Sequence, residues 1–291
     1  MDTQSLSAFL EVAETRSFSK AGIRLHLSQP AISKRIAALE MVLGTPLFDR
    51  VGRQIGLTDA GHTLLPYARE VLQQIEDGRR ALSQLSGAVS GRLMIGTSHH
   101  IGLHRLPPVL RNFTQTYPDV DLDIHFLDSE DACTAVLQGK LELGIVTLPS
   151  QPIPNLRSQV VWQDPLVVVV APGHPLAANP AQPPKLLDLA QHPAVLPDEH
   201  TYTHRIVTAA LEAHGVAPRI RLSTNYLETL KMLVAIGLGW SVLPRSMLDD
   251  SIVALDLPEL AMKRELGTVW HRSRAQSGAA RALLKLLGVE P

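Results

Sequence analysis

Between Ser17 and Arg53 two short helical patterns are separated by only His26, Leu27 and Ser28, and a strand-turn-strand pattern follows. So short a connection forces consecutive helices to turn sharply and to pack on a common support. That support is offered upstream, where Leu6, Phe9, Leu10 and Ala13 fall at i, i+3, i+4 and i+7, one face of a helix. Phe18, Ala21 and Leu25 mark the second helix, and Ile32, Ile36 and Leu39 the third, which begins at Ser28-Gln29-Pro30. The Ser28 hydroxyl suits the N-cap, because it can accept an orphan backbone N–H, and Pro30 loses nothing in the first turn. Leu27 is left as the apolar plug between the two helices. Downstream, Leu47-Phe48-Asp49-Arg50 and Ile55-Gly56-Leu57 are apolar segments joined by Val51-Gly52-Arg53-Gln54, a hairpin with Arg53 at its tip. This is the form of a winged helix-turn-helix, a module that reads DNA.

Charge agrees with that form locally. The whole chain carries a net charge of -1, yet from Arg16 to Arg53 seven basic residues stand against Glu40 and Asp49. A basic patch on an acidic body neutralises phosphates, which gives sequence-independent affinity that weakens as salt rises. Specificity then rests on the third helix. Ser28, Gln29 and Pro30 open it, and Gln29, Ser33 and Lys34 lie in its N-terminal half, the part that enters the major groove, where Gln and Lys pair with adenine and guanine edges. Arg35, Arg50 and Arg53 complete the expected face toward double-stranded DNA. The plainer alternative is a small helical subdomain whose charged face is merely solvated.

From Thr58 a single long helix is expected, capped by Thr58, with apolar residues at Leu64, Ala68, Val71, Ile75, Leu82 and Leu85. Steps alternating between 3 and 4 make a coiled-coil seam, and Gly78 occupies the position skipped in the longer step. Such a stripe calls for a partner, most simply a second copy, with Leu64, Ala68, Val71, Ile75 and Leu82 as the pairing residues. The alternative is a helix folded onto its own chain.

The run Ser17-Phe18-Ser19-Lys20-Ala21-Gly22-Ile23-Arg24-Leu25-His26-Leu27-Ser28-Gln29-Pro30-Ala31-Ile32-Ser33 is followed by Leu39-Glu40, Leu43-Gly44, Leu47-Phe48, Arg50 and Leu57-Thr58-Asp59-Ala60-Gly61. Together they resemble the N-terminal signature of LysR-type transcriptional regulators. A weaker likeness continues in Pro172-Gly173-His174-Pro175-Leu176 and in Gly237-Leu238-Gly239 with Leu243-Pro244. Gly22 departs from the alanine common in the family; it costs the second helix roughly 1 kcal/mol of propensity and leaves the recognition helix untouched.

The chain divides into about 90 residues of DNA module and linker and about 200 residues with enough apolar content for a core. Ser86-Gly87-Ala88-Val89-Ser90-Gly91 reads as the hinge between them. Beyond it Arg92 to Gly96 reads as a buried strand, and the pattern then alternates. Helix is expected over 106–116, 130–139, 204–214, 227–236 and 274–287, and strand over 121–127, 143–147, 166–171, 220–223, 240–243 and 266–270. The fold class is therefore α/β. Pro180 to Pro184 reads as a loop. No run approaches the ~18 apolar residues needed to span a bilayer, and Met1-Asp2-Thr3-Gln4-Ser5 has no basic start before an apolar run, so no membrane partner and a cytoplasmic location are expected. The single cysteine, Cys133, excludes an intrachain disulfide and an all-cysteine zinc site and argues against a two-cysteine redox switch. Beside Ala132, Val136 and Leu137 it reads as a small buried hydrophobe, with a reactive thiol as the alternative.

In LysR-type proteins the second part resembles the two-lobed periplasmic binding proteins, with the chain crossing twice between lobes and a small effector in the cleft. The resemblance implies a DNA-binding domain over 1–58, a linker and dimerisation helix with hinge over 59–90, and an effector-binding domain over 91–291. Lobe one would take 91–161 and 265–291, and lobe two 162–264. It places the effector against Thr97, Ser98, His99 and His100, Ser129, Thr147, and Thr201, Tyr202 and Thr203. Open α/β sheets hold ligands beyond the carboxyl ends of their strands, and hydroxyls there suit a carboxylate or oxyanion; the alternative is that Ser and Thr are ordinary helix caps. His100 and His104 are four apart, as are His200 and His204. Two imidazole pairs meeting across a cleft would hold a divalent metal or, when protonated, an anion. No carboxylate or cysteine completes a metal-ligand motif in the sequence, so no cofactor and no metal are expected. His100 stands where such proteins more often carry a hydroxyl, which implies a distinct ligand.

Enzymatic motifs are missing: there is no Gly-x-Ser-x-Gly, no phosphate-binding loop ending in Lys-Ser or Lys-Thr, and no His-Glu-x-x-His. The sequence thus predicts a non-enzymatic LysR-type regulator, a homodimer or homotetramer gripping an imperfect palindrome, whose activity a small and anionic effector modulates. The alternatives are a solute-binding protein with no DNA role and a metal-responsive regulator using the paired histidines.

Overall fold

The computed structural model describes residues 1–51, 54–85, 89–178 and 184–290. It forms two compact units, Met1–Leu85 and Ser86–Pro291. The division falls at the start of the expected hinge, of which residues 86–88 lie outside the described residues, as do Gly52 and Arg53 of the wing tip and residues 179–183 of the proline-rich loop.

The first unit contains α1 (Thr3–Thr15), α2 (Phe18–Arg24), α3 (Gln29–Leu43), β1 (Phe48–Val51), β2 (Gln54–Leu57) and α4 (Asp59–Leu85). Side chains fix the starts of the first three helices. Asp2, Ser17 and Ser28 accept from the backbone N–H groups of Ser5, Lys20 and Ala31, which satisfies donors the helices themselves leave unpaired. The turn before α3 bends through His26, held at φ 52°. Glycine at position 22 is more than a propensity cost. A Cβ there would stand 2.7 Å from the Leu27 carbonyl oxygen, so its absence lets α2 close on the turn.

The core of this unit joins Leu6, Phe9 and Val12 of α1 to Ile32, Ile36 and Leu39 of α3, with Leu47 before the wing. Each such side chain stabilises the fold by roughly 1.5–3 kcal/mol. The buried stripe of α1 differs from the expected one: Ser5, Ala8, Phe9 and Val12 face inward, whereas Leu10 is only partly covered. Ser5 is admitted because the Asp2 carboxylate accepts from both its backbone N–H and its hydroxyl, at 2.8 and 2.9 Å. Glu40 performs a similar task at the far end of α3. Its Oε1 accepts from the Leu47 and Phe48 N–H groups at 2.7 and 3.3 Å, pinning the start of β1.

Helix α4 runs as expected, but its apolar stripe divides. Ala68 is 1% exposed inside the core of the first unit, which makes it a core residue of its own chain, and Leu64, partly covered, packs on the same cluster. Val71, Ile75 and Leu82 are 40%, 39% and 68% exposed.

The second unit is a two-lobed α/β domain. Lobe one holds β3 (Gly91–Thr97), α5 (His99–His104), α6 (Pro107–Thr116), β4 (Val120–Phe126), α7 (Ser129–Leu137) and β5 (Leu143–Thr147). Strand β6 (Leu156–Val170) leads into lobe two, with β7 (Pro193–Leu196), α8 (Tyr202–Glu212), β8 (Arg219–Ser223), α9 (Leu227–Ala235), β9 (Ser241–Pro244) and β10 (Val253–Ala254). Strand β11 (Met262–His271) returns the chain to α10 (Gly278–Leu286). One sheet, in the order β10-β6-β11-β5-β3-β4, serves both lobes. Strands β3, β4 and β5 pair in parallel, as crossovers through covering helices require. The two crossings, β6 and β11, are antiparallel to each other along their length. Both are longer than the expected segments 166–171 and 266–270; the extensions mix exposed polar residues such as Arg157, Ser158 and Lys263 with apolar ones and so carry no continuous apolar run. The short helix α5 and strand β7 also add to the expected pattern.

Each lobe has its own core, with Phe113, Leu143 and Leu283 in lobe one and Trp240, Val207 and Leu211 in lobe two. Trp240 is fully buried with its indole N–H donated to the Leu189 carbonyl at 3.0 Å. In the first unit, replacing Glu40 by alanine strips two backbone donors of a charged acceptor. We expect Glu40→Ala to cost about 2 kcal/mol in urea unfolding. An unchanged midpoint would show that the wing is held in place by other means.

Candidate functional site

In the first unit, α3 presents Ser28, Gln29, Pro30 and Lys34 at the surface, with Ser33 and Arg35 half-buried beside them. The Gln29 amide donates to the Ser33 hydroxyl at 3.0 Å, one turn on, which fixes both on one face. Arg35 donates to the Gln4 side chain at 2.9 Å, so its guanidinium is held against α1. Arg24 pairs with Glu11 and Glu14 at 3.3 and 3.2 Å and adds little net charge to the patch. Lys34 makes no ion pair among the described residues. Arg53 lies outside the described residues, and Arg50 is placed only as a member of β1.

In the second unit a cleft of about 260 Å³ opens between the lobes. Ser98, His99, His100, Ser129, Thr147, Thr201, Tyr202 and Thr203 all line it, as expected from the sequence. Thr97 does not: it is fully buried and its hydroxyl donates to the Ile145 carbonyl at 2.8 Å, joining β3 to β5. The hydroxyls divide by their bonds. Thr201 is a helix cap, accepting from the His204 N–H at 3.1 Å and donating to the Asp198 carbonyl at 2.7 Å. Ser129 accepts from the Thr147 N–H at 3.0 Å. Ser98 caps α5 without a side-chain hydrogen bond.

The decisive side chain on the cleft wall is Arg264, which the sequence reading missed. It is 4% exposed on β11 and faces Asp164, 1% exposed, across the antiparallel pair with β6. Arg264 Nε donates to Asp164 Oδ2 at 2.7 Å and Nη1 to the Thr203 hydroxyl at 3.3 Å, while Arg105 reaches Asp164 Oδ1 at 3.1 Å. Arg264 Nη2 is buried and has no hydrogen-bond partner among the described residues. A guanidinium donor left without an acceptor in a dry site is costly unless a ligand supplies one.

Other residues missed by the sequence reading tie the lobes together around the cleft. The Asn225 amide donates to Asp128 at 2.7 Å, and the Tyr202 N–H, at the start of α8, donates to the Glu130 carboxylate. Burial raises the Glu130 carboxyl above the usual carboxylate range. The His99 ring packs between Phe126 and Tyr226, with centroids 5.1 and 4.8 Å away, forming an aromatic wall.

The two histidine pairs do not meet, which corrects the expectation of a four-imidazole cluster. His204 Nδ1 lies 2.7 Å from the Pro197 carbonyl, and exposed His200 lies 3.6 Å from Asp128. His100 and His104 instead approach Glu228, at 3.6 and 3.0 Å. Burial, reinforced by the Arg264 charge, holds His100 down to about 4, so its ring is neutral at pH 7.

Residues 86–289 match the family model described as the LysR substrate binding domain, and residues 3–62 match that of the bacterial regulatory helix-turn-helix protein, lysR family. The chain belongs to the LysR family. It is 66% identical over 108 residues to an uncharacterised HTH-type regulator in the ibpB-leuC intergenic region of Azotobacter vinelandii, covering 37% of this chain and 75% of that protein. Over 286 residues it is 32% identical to the uncharacterised regulator YeiE of Escherichia coli (strain K12), covering 97% and 95% of the two chains. Full-length CbnR in complex with its target DNA shares the fold at a TM-score of 0.66 and 22% identity, covering 99% of each chain. The protein is thus a LysR-type DNA-binding transcriptional regulator with a two-lobed effector domain. Among the described residues no helix is long and apolar enough to cross a membrane.

Cys133 of this LysR-type regulator is 1% exposed, and burial pushes its thiol up to about 11 despite a hydrogen bond with Tyr202. Only the thiolate is a good nucleophile. We expect an aromatic disulfide reagent to label Cys133 in guanidinium but not in the native protein. Rapid labelling of the native protein would make it a reactive thiol.

Proposed function

We propose that this LysR-type regulator reads duplex DNA with the N-terminal half of α3 and responds to a small anion held in the cleft by Arg264. The observation that carries the effector reading is the buried, unpartnered Nη2 of Arg264 on the cleft wall. An oxyanion or carboxylate supplies the missing acceptor, and the planar guanidinium makes that bond directional. Thr203, Ser98 and Ser129 bring hydroxyl groups to the same space. The anion also meets resistance, because Asp128, Glu130 and Asp131 line the cleft on the lobe-one side. Glu130 itself sits against the first N–H of α8, where the partial positive charge of the helix favours an anion, and so acts as a built-in competitor. Binding that displaces such contacts favours one disposition of the lobes over another, which an effector must do to change anything.

On the DNA side, Gln29, Ser33 and Lys34 are the base-edge readers in this proposal, while Arg35, Arg50 and Arg53 meet phosphates, with Ser28 and Pro30 setting the helix start. CbnR, which has the same fold, has been captured on its target DNA. Two copies pair along α4 through Val71, Ile75 and Leu82, and two such pairs assemble as a dimer of dimers on an imperfect palindrome. A regulator that acts on chromosomal DNA is assigned to the cytoplasm in this proposal.

Two sets of variants test these assignments. Ser33→Ala and Lys34→Ala should weaken binding to the cognate site while sparing random DNA, whereas Arg53→Ala should weaken both and flatten the salt dependence. Equal losses on both DNAs for all three variants would overturn the division. Arg264→Lys keeps a cation beside Asp164 but withdraws the fork. The full-length protein should gain thermal stability from one or more members of a panel of small carboxylates and sulfur oxyanions, and Arg264→Lys should lose that gain. An equal shift in both proteins would remove Arg264 from the effector site.

A further inference from the structure

We infer that His100, His104 and Glu228 form a site for one divalent transition-metal ion that fastens lobe one to lobe two beside the cleft. The two histidines are four apart on α5 of lobe one, and Glu228 lies in the first turn of α9 of lobe two, so neither lobe holds the set alone. One donor atom from each of the three falls within 4.8 Å of the others. His104 Nε2 and His100 Nδ1 lie 3.0 and 3.6 Å from Glu228 Oε1, and the two rings are 4.7 Å apart between centroids. A tetrahedral ion with bonds of about 2.0–2.2 Å sets its ligand atoms roughly 3.3–3.5 Å apart, a spacing that the two histidine-carboxylate distances bracket.

A simple His104–Glu228 hydrogen bond accounts for the shorter distance but not for His100. That ring is 4% exposed, and among the described residues neither of its nitrogens has a hydrogen-bond partner. A buried imidazole with both nitrogens idle is costly, and a metal bond to Nδ1 relieves one of the two. The nearby positive charge of Arg264 is offset in part by Asp164 at 2.7 Å, a carboxylate that Arg105 shares at 3.1 Å, and Glu228 brings a negative charge of its own to the ion.

Two imidazoles and one carboxylate select zinc, cobalt or nickel over magnesium or calcium, and three protein ligands leave a position open. That position can hold water or a donor atom of a molecule in the cleft, since His100 also lines it. The site deepens the regulator reading without depending on Arg264: a cation shared by α5 and α9 favours the arrangement of the lobes that brings these ligands together.

The test titrates Co²⁺ alone into the full-length protein, followed by its visible d–d absorption and by thermal shift. Wild type should bind one equivalent with a d–d band and a raised Tm. His104 is half-exposed, so His104→Ala leaves the fold unstrained, and Glu228→Gln keeps the size and a hydrogen-bond acceptor. Each should weaken that equivalent more than about tenfold, since even the outer partners of metal ligands are worth 10–100-fold. Equal affinity and band intensity in wild type and both variants would overturn the site, as would the absence of a band in wild type. Arg264→Lys should bind Co²⁺ as wild type does, so this inference and the anion reading fail separately.

Discussion

Two charges almost out of reach of water, Asp164 on β6 and Arg264 on β11, face each other where the chain crosses between lobes. Such a pair gains little net stability over apolar residues of the same size, because desolvation consumes most of its attraction, but removing either partner is severe. Its value here is positional. The antiparallel register sets the two residues opposite each other, Arg105 and Thr203 take up further bonds, and one guanidinium nitrogen of this cleft-lining arginine is left buried without a partner among the described residues. The hydroxyls of Ser98, Ser129 and Thr203 line the same cleft as that arginine.

The cleft wall is neither uniformly basic nor a simple ring of hydroxyls. Its hydroxyl groups include one that caps a helix and another that bonds a backbone N–H, and its acids hold the lobes together through Asn225 and the start of α8. A ligand therefore enters by exchange: it must replace contacts the protein already makes with itself. Exchange gives selectivity, because only a molecule that supplies a better acceptor to Arg264 than water can offset what it displaces.

The head was legible because its signals are local. Serine caps, a turn of three residues and a hairpin between apolar strands each act within a few positions, and the structure places α2, α3 and the wing where the spacing put them. The stripe of α1 was misjudged because a serine paired with a neighbouring aspartate can be buried, which hydropathy does not show. In the second unit the apolar strands were visible and their polar extensions were not. Arg264 hides in Lys263-Arg264-Glu265, which reads as a solvated charge run. The signal that could have found it is the two-residue period of Met262, Arg264 and Leu266, which turns all three to the same buried face. Glu228 gave no local sign of its nearness to His100 and His104, since more than a hundred residues separate them in the chain.

The lobes are joined by strands of one sheet, not by loops. Strands β6 and β11 shift register between Leu266 and Gly267, and at Gly267 any side chain would strike the Gln159 carbonyl, 2.1 Å from where its first carbon would sit. The shift falls where β11 is paired on both sides, with Gly267 opposite Val160 of β6 and Val146 of β5. The lobes of this regulator are therefore tied by close backbone pairing that leaves no room for a side chain at position 267, unlike domains hung on a flexible strap.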